Sequence, residues 1–405
     1  MDNKKLIPVL TGADLNCYNI ARAFHEEYGV MSHAFARYSI GATKYTKIIN
    51  FHEVPDFDNP SIFIDTLNAF ARDITDGSKL ILFGCTDDYV SLIISNKEML
   101  SDKFVIPYID KELMDDLTLK EHFYHNYCDK YNLLYPKTTI FEKGQTKFDI
   151  DFDYPIIIKP SSSALYWHFP FDGMKKVYRA KDEAEAWEII NSIYASGYPE
   201  KLILQDTIPG DDVYMYVLTA YCDRDSKVRM MCLGHVLLEE HTPKGLGNHA
   251  AIITEYNPEL MEKFKAFLED IEYVGYANFD IKYDERDGSM RVFEINTRLG
   301  RSNYYVTATG NNVVRYIVDD YINEKPFDGC LMNKNIIYWR YIPDGVVFDY
   351  VSDKYKKIIK QLKKEDKAFS SMRYKFDLQM NLKRRLFIIA HEHNHRKKYK
   401  MYYKI

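Results

Sequence analysis

The stretch GYANFDIKYDERDGSMRVFEINTRLGRSN, residues 275–303, decides how the rest of the chain is read. Its two halves alternate apolar and polar residues about a polar, glycine-containing centre, DERDG, the pattern of a β-hairpin. Successive side chains on a strand point to opposite faces. Phe279, Ile281, Phe293 and Ile295 therefore make one apolar face. Asp280, Lys282 and Asp284 share the other face of the first strand, and Val292, Glu294 and Asn296 share one face of the second. With the turn centred near 286–287, Asp280 falls roughly opposite Glu294. Two carboxylates and an amide oxygen then gather at one end of the ladder, a hard-oxygen set that suits Mg2+ completed by phosphate oxygens and water. An ordinary hairpin with one wet face would alternate in the same way. The arginine-bearing loop TRLGRSN that follows is what makes the polar face look like a site.

Upstream, PELMEKFKAFLEDI is an amphipathic helix, and KLILQDTIPGDDVYMYVLTAYCD (201–223) and KVRMMCLGHVLLEEH (227–241) are strand-rich. The apolar strand YPIIIKP ends in Lys159 and runs into Ser161 and Ser162, where a lysine beside small residues can meet phosphate oxygens. A lysine at a solvent-facing strand end would look the same. The first third alternates strand and helix: LIPVLTG, then LNCYNIARAFHEEYG, then VMSHAFA, a helix over 61–73, KLILFGC, and DDYVSLIISNKEML. That alternation predicts an α/β class with a small parallel sheet covered by helices. The turn T-G-A-D-L-N lacks the full G-x-G-x-x-G, so no dinucleotide site is assigned to it.

With 405 residues, 46% hydrophobic and 28% charged, the chain is expected to be soluble and to fold as two to four packed units. No apolar run approaches the roughly 20 residues that span a bilayer. Six scattered cysteines with no C-x-x-C pair are expected to be free thiols in a reducing cytoplasm. The net charge of −5 is uneven, because residues 331–405 hold 19 Lys and Arg against 7 Asp and Glu. A basic, Tyr-rich tail suggests an anionic partner, although a solvated basic face is an equal alternative.

That tail contains RLFIIAHEHNHRKKYK, in which His391, Glu392 and His395 spell H-E-x-x-H. A zinc site of this type needs a third ligand and an open water position. After His395 the chain offers only RKKYKMYYKI, so the motif is assigned to a basic docking tail whose histidines gain charge as the pH falls toward about 6.

The order of these parts resembles the ATP-grasp superfamily of carboxylate–amine ligases over about residues 1–330. The resemblance implies a Rossmann-like pre-ATP-grasp domain (1–115), a first lobe with a lid loop (116–205), a second lobe with the metal site (206–330) and a basic C-terminal extension (331–405). It implies that Lys120 and Lys159 bind the phosphates of ATP and that LILQDTIPGDD is the adenine hinge, nominating Gln205, Asp206, Ile208 and Asp212. The superfamily's Asp…Glu-x-Asn metal triad matches Asp280, Glu294 and Asn296 as Mg2+ ligands, and the N-T-R extension makes Arg298 a candidate for the reacting carboxylate, with Arg301 and Ser302 beside it. The lid loop PSSSALYWHFPFDG departs from a glycine run, and Gln205 stands where many relatives have Glu. The loop EEHTPKGLGNHAA could carry Lys244 or His249 over the γ-phosphate, or be a plain connection.

Within the superfamily the opening segment and the basic tail look like the bacterial D-aspartate ligase family. That resemblance implies amide formation through an acyl phosphate, joining D-aspartate to the Lys side-chain amine of a peptidoglycan precursor. Its partners would be a small amino acid and an amine acceptor, for which a UDP-linked precursor is one option, with no nucleic acid. The acceptor's diphosphate could rest on Lys383, Arg384, Arg385 or the 396–400 cluster, or the same residues could hold the protein near anionic lipid at the inner face of the membrane. A homodimer is compatible with the sequence. The alternatives are another amino-acid or dipeptide ligase, and a non-catalytic ATP-binding sensor or scaffold.

Overall fold

Five strands from the first 105 residues line up as one parallel sheet in the computed structural model, which describes residues 6–243 and 245–403. These are β1 (Leu6–Thr11), β2 (Ser32–Ala36), β3 (Ile49–Glu53), β4 (Lys79–Gly84) and β5 (Phe104–Val105), in the order β3-β2-β1-β4-β5. The helices α1 (Leu15–Tyr28), α2 (Pro60–Asp73) and α3 (Asp87–Ser95) connect them. Apart from Thr11, whose hydroxyl donates to Phe83 O at 3.2 Å, central β1 and β4 are apolar throughout their buried stretches, as a parallel sheet covered on both faces requires. Local chemistry sets the helix ends. Asp14 caps α1 by accepting from Cys17 N, and Gly29, at φ 66°, closes it in the left-handed conformation that costs glycine least. The edge strand β3, INFHE, escapes the sequence pattern because only Ile49 is buried.

The chain divides into two compact units, residues 1–111, 216–278 and 296–405 in the first and 112–215 with 279–295 in the second. In the second unit β6 (Thr138–Phe141), β7 (Ile156–Pro160), β8 (Tyr178–Ala180) and β9 (Leu202–Asp206) form an antiparallel sheet ordered β6-β9-β7-β8. The helix Glu183–Ala195 buries Ala186, Ile190 and Ile193 in the same core, which is rich in buried aromatics such as Phe141, Tyr166 and Tyr198.

The first unit's other sheet is built from β10 (Met215–Cys222), β11 (Val228–Glu239), β12 (His249–Glu255), the start of β13 (Gly275–Asp284), and, beyond β14 (Ser289–Asn296), β15 (Leu331–Met332), β16 (Tyr338–Arg340) and β17 (Ala368–Ser370). Its order is β13-β10-β11-β12-β16-β17, with β15 beside β11. The expected hairpin is present as β13 and β14, and Gly288, at φ 74°, closes the turn by donating its N–H to Asp284 O at 2.9 Å.

At the C-terminus the basic run is helical, and its residues differ in role. Residues Leu382–Tyr402 form one helix of 21 residues packed in the first unit. Arg384 on its inner face is fully buried, 3.0 Å from the Asp377 carboxylate, and donates to the carbonyls of Ala42 and Lys44 at 2.6 Å each. Asp377 also accepts from Tyr18 Oη at 2.9 Å, Thr46 Oγ1 at 3.0 Å and Lys47 N at 2.8 Å. A buried ion pair is costly to break because the survivor is left uncompensated. Arg384 therefore fastens the helix and cannot hold a precursor's diphosphate. Among the described residues no helix is long and apolar enough to cross a membrane.

Candidate active site

In the second unit the apolar run of β7 delivers Lys159 into a cluster of charges in which Lys120 and Lys159 are buried, Glu294 is half-buried and Lys176 is exposed. Lys120 Nζ lies 3.3 Å from Glu294 Oε2, and Lys176 Nζ lies 3.8 Å from Glu294 Oε1. Lys159 Nζ donates to Tyr124 Oη at 3.3 Å, and Lys120 Nζ donates to Ser161 O at 3.3 Å. Burial alone would raise the Glu294 carboxyl, but Lys176, Lys120 and Lys159 outweigh it and hold the group well below the usual carboxylate range. Lys159 is pushed the other way. Burial first, and then the like charge of Lys120, lower its ammonium to about 7, with Glu294 and Asp280 opposing only in part. Lys120, Lys159 and Lys176 thus gather about Glu294, a concentration of cations that suits an anion.

Other predicted nucleotide-site residues are engaged within the protein. Ser161 Oγ bonds the Glu121 carboxylate, and Ser162 Oγ accepts from Leu165 N at 3.3 Å, so both shape the loop after β7. Gln205 Nε2 donates to Thr138 Oγ1 at 2.8 Å and Tyr124 Oη at 3.3 Å. Asp206 takes Arg286 at 2.6 and 3.3 Å. The Ile208 carbonyl accepts from Lys282 Nζ at 3.0 Å, which also reaches Gly210 O at 2.8 Å and so fixes the bend after β9. Asp212 opens a short turn, Asp212–Tyr214.

The first unit holds the arginine loop. Arg298 forks onto the Asp87 carboxylate at 2.7 and 2.9 Å, and its NH2 reaches Asn296 Oδ1 at 3.3 Å. Arg301 pairs with Glu240 at 2.8 Å and stacks 5.0 Å from the centre of the Tyr341 ring. Ser302 is buried, and its carbonyl accepts from Tyr305 N at 3.0 Å. Three asparagines hold the loop in place. Asn16 Nδ2 donates to Leu299 O at 2.8 Å and Cys85 O at 2.9 Å, Asn19 Nδ2 donates to Arg301 O at 3.0 Å, and Asn303 Nδ2 donates to Asn16 Oδ1 at 2.6 Å. Gly300 is required here because a Cβ would sit 2.6 Å from Asn278 Oδ1. Burial raises the Asp14 carboxyl, while Arg301 and Arg298 draw it down. Arginines that can grip a carboxylate through two parallel hydrogen bonds, beside a half-buried acid, suit a small molecule bearing both signs of charge.

Over its whole length the chain is 39% identical to the D-aspartate ligase of Enterococcus faecium (strain Aus0004), covering 98% of that protein. The chain belongs to the D-aspartate ligase family. No family model matches it. Among solved structures, the fold is similar to an L-amino acid ligase from Bacillus licheniformis, with 13% identity, 78% of this chain and 74% of that one covered, and a TM-score of 0.55. It is also similar to an N5-carboxyaminoimidazole synthetase from Staphylococcus aureus complexed with ADP, with 12% identity, 87% and 86% covered, and a TM-score of 0.57. The fold is ATP-grasp and the protein is an ATP-dependent carboxylate–amine ligase.

In this D-aspartate ligase family member H-E-x-x-H has a packing role. His391 and His395 lie on the inner face of the C-terminal helix, where His391 Nε2 is 2.7 Å from Tyr341 Oη and 3.2 Å from His395 Nε2. Glu392 instead pairs with Arg373 at 2.7 and 2.8 Å. Among the described residues no group of three or more His, Cys, Asp or Glu side chains could hold a metal. Burial lowers both histidines to about 3, so they gain no charge near pH 6, contrary to the expectation from sequence. His249 sits 3.9 Å from Glu239, and Lys244 lies outside the described residues. Sequence reasoning missed Lys176, whose signal was the Lys175–Lys176 pair in the lid loop, and Tyr124, which had none. It also missed Asp14 and the three asparagines, although the T-G-A-D-L-N turn was noticed.

Proposed function

We propose that the ligase joins D-aspartate to the Lys side-chain amine of a peptidoglycan precursor, with ATP converted to ADP and phosphate. The observation that carries the nucleotide half is the convergence of Lys120, Lys159 and Lys176 about Glu294. Such a gathering of ammonium groups suits the oxygens of a polyphosphate. The strand end at Gln205, Asp206 and Ile208 receives the adenine, and Asp212 the ribose hydroxyls. Asp280, Glu294 and Asn296 supply the hard oxygens that this reading assigns to Mg2+, which when bound would neutralise charge on the transferring phosphoryl group.

Arg298, with Arg301 and Ser302, orients the amino acid so that one carboxylate oxygen attacks the γ-phosphorus in line. ADP leaves and an acyl phosphate forms. The acceptor amine then attacks the acyl carbon, phosphate departs and the nitrogen loses its proton, giving the amide. A UDP-linked acceptor would place this reaction in the cytoplasm. ADP release measured with Mg-ATP, D-aspartate and a Lys-containing acceptor tests the assignment. Glu294→Gln should abolish it with the fold intact by circular dichroism. Near-normal turnover of that variant, or equal use of L-aspartate, would overturn it.

A further inference from the structure

The C-terminal helix Leu382–Tyr402 carries two stripes at helical spacing. Arg384, Ile388, His395 and Tyr399 point inward and are buried. The opposite stripe is Leu382, Leu386, Ile389, His393, Lys397 and Lys400, and all six are exposed. Its first half is apolar, with Leu382 68%, Leu386 59% and Ile389 63% exposed, and Met380 just before the helix is 98% exposed. Lys383, Arg385 and Arg396 flank it and are also exposed. Tyr45, 55% exposed, extends the patch: its carbonyl accepts from Asn381 Nδ2 at 2.8 Å, and its ring lies 5.8 Å from that of Phe387. Between residues 379 and 402 the only acidic side chain is Glu392, and Arg373 already pairs with it.

From this we infer that the outer face of the helix is a docking surface for an anionic lipid bilayer. Two properties must be met by one partner. The leucine, isoleucine and methionine side chains require an apolar medium, and the five flanking and following cations require anions in the plane above it. Anionic headgroups over acyl chains provide both at the depth of a single helix face. A two-fold pairing of this face with itself would bring like charges together. Nucleic acid offers phosphates and aromatic stacking surfaces but nothing that buries aliphatic chains. The buried Arg384–Asp377 pair and the histidine–tyrosine contacts hold the helix to the first unit, so the lipid surface would meet a preformed face.

The test is sedimentation of the full chain with vesicles containing about one-third phosphatidylglycerol, compared with pure phosphatidylcholine. Binding to the anionic vesicles alone is expected, weakening about tenfold or more between about 0.1 M and 0.5 M salt. Leu386→Glu with Ile389→Glu should reduce it about tenfold or more while ADP release from soluble substrates stays at the wild-type rate, and Lys383→Ala with Arg385→Ala should reduce it several-fold. Absence of wild-type binding, or undiminished binding by both double variants, would overturn the inference. So would a dimer in sedimentation velocity that Leu386→Glu with Ile389→Glu dissolves, since a second copy would then be the occupant.

Discussion

Lys159 should take up a proton when the nucleotide binds. In the nucleotide-free protein burial and the neighbouring Lys120 bring its ammonium from 10.5 to about 7, which is about 5 kcal/mol against the charged form. At pH 8 only about a tenth of the molecules then carry the charge, and at pH 7 about half. A phosphate beside Lys159 favours the ammonium strongly enough to restore it. Binding should therefore absorb nearly one proton at pH 8, about half a proton at pH 7 and almost none at pH 6. Affinity must fall as pH rises, by roughly eightfold between pH 7.5 and 8.5. Calorimetric titration with Mg-ADP in paired buffers of equal pH and different ionisation enthalpy reads the proton count directly. Above about pH 7.5 the nucleotide's own phosphates contribute little, so the signal belongs to the protein. Lys159→Arg keeps a permanent charge and should erase both the uptake and the pH slope. No uptake by the wild type at pH 8, or the same uptake in Lys159→Arg, would refute the reasoning.

The Glu294→Gln variant should lose about 100-fold or more in ADP release, because a neutral amide can neither balance three lysines nor ligate Mg2+ as a carboxylate does. Asp87 is exposed and occupies the Arg298 fork, so Asp87→Asn should lower KM for the amino acid two- to five-fold at unchanged kcat, an exposed ion pair being worth about 0.5–1 kcal/mol; steady-state kinetics in D-aspartate decides this. Asn16→Ala removes donors from two buried carbonyls and should raise KM for the amino acid while leaving Kd for Mg-ADP, measured by calorimetry, within about twofold. His395 is neutral when folded and titrates near its ordinary value when unfolded, so the stability it contributes is complete above about pH 6.5 and lost as the pH falls toward 3. At pH 5 the loss is about 2 kcal/mol, visible as a drop in denaturation midpoint that His395→Phe should reduce.

The hairpin was legible because its information is local: a period of two, a turn centre and a change of residue type from one face to the other. Lys159 was legible for the same reason, since three isoleucines in front of a lysine and a proline mark a buried strand end. Lys176 sits in a loop with no periodicity, and only the fold brings its ammonium to Glu294. Tyr124 is one tyrosine among 34, and its hydroxyl acquires meaning only where it meets Lys159, Gln205 and Phe293 O. Arg384 lies in a basic run in which every member looks alike; helical phase turns it inward, and Asp377 decides that it is structural. The same phase explains H-E-x-x-H. Spacing of four correctly puts both histidines on one face, but that face meets Tyr341 and the core, and no third ligand converges there.

The turn T-G-A-D-L-N shows why a familiar fold can be put to an unfamiliar use. In a dinucleotide-binding α/β domain this turn is kept bare so that a pyrophosphate can approach the helix N-terminus. Here Asp14 caps that terminus with its own carboxylate, which would repel a phosphate at the same place. Asn16 and Asn19 in the first turns of α1 then donate to the carbonyls of Leu299 and Arg301. The parallel sheet contributes a rigid mount for the arginine loop, and the charge it adds there is negative, beside Arg298 and Arg301. Such a mount limits the reach of two guanidinium groups, which is what a positioned carboxylate substrate would need. The missing glycines are thus consistent with a pre-domain that orients the carboxylate substrate and leaves the polyphosphate to Lys120, Lys159 and Lys176.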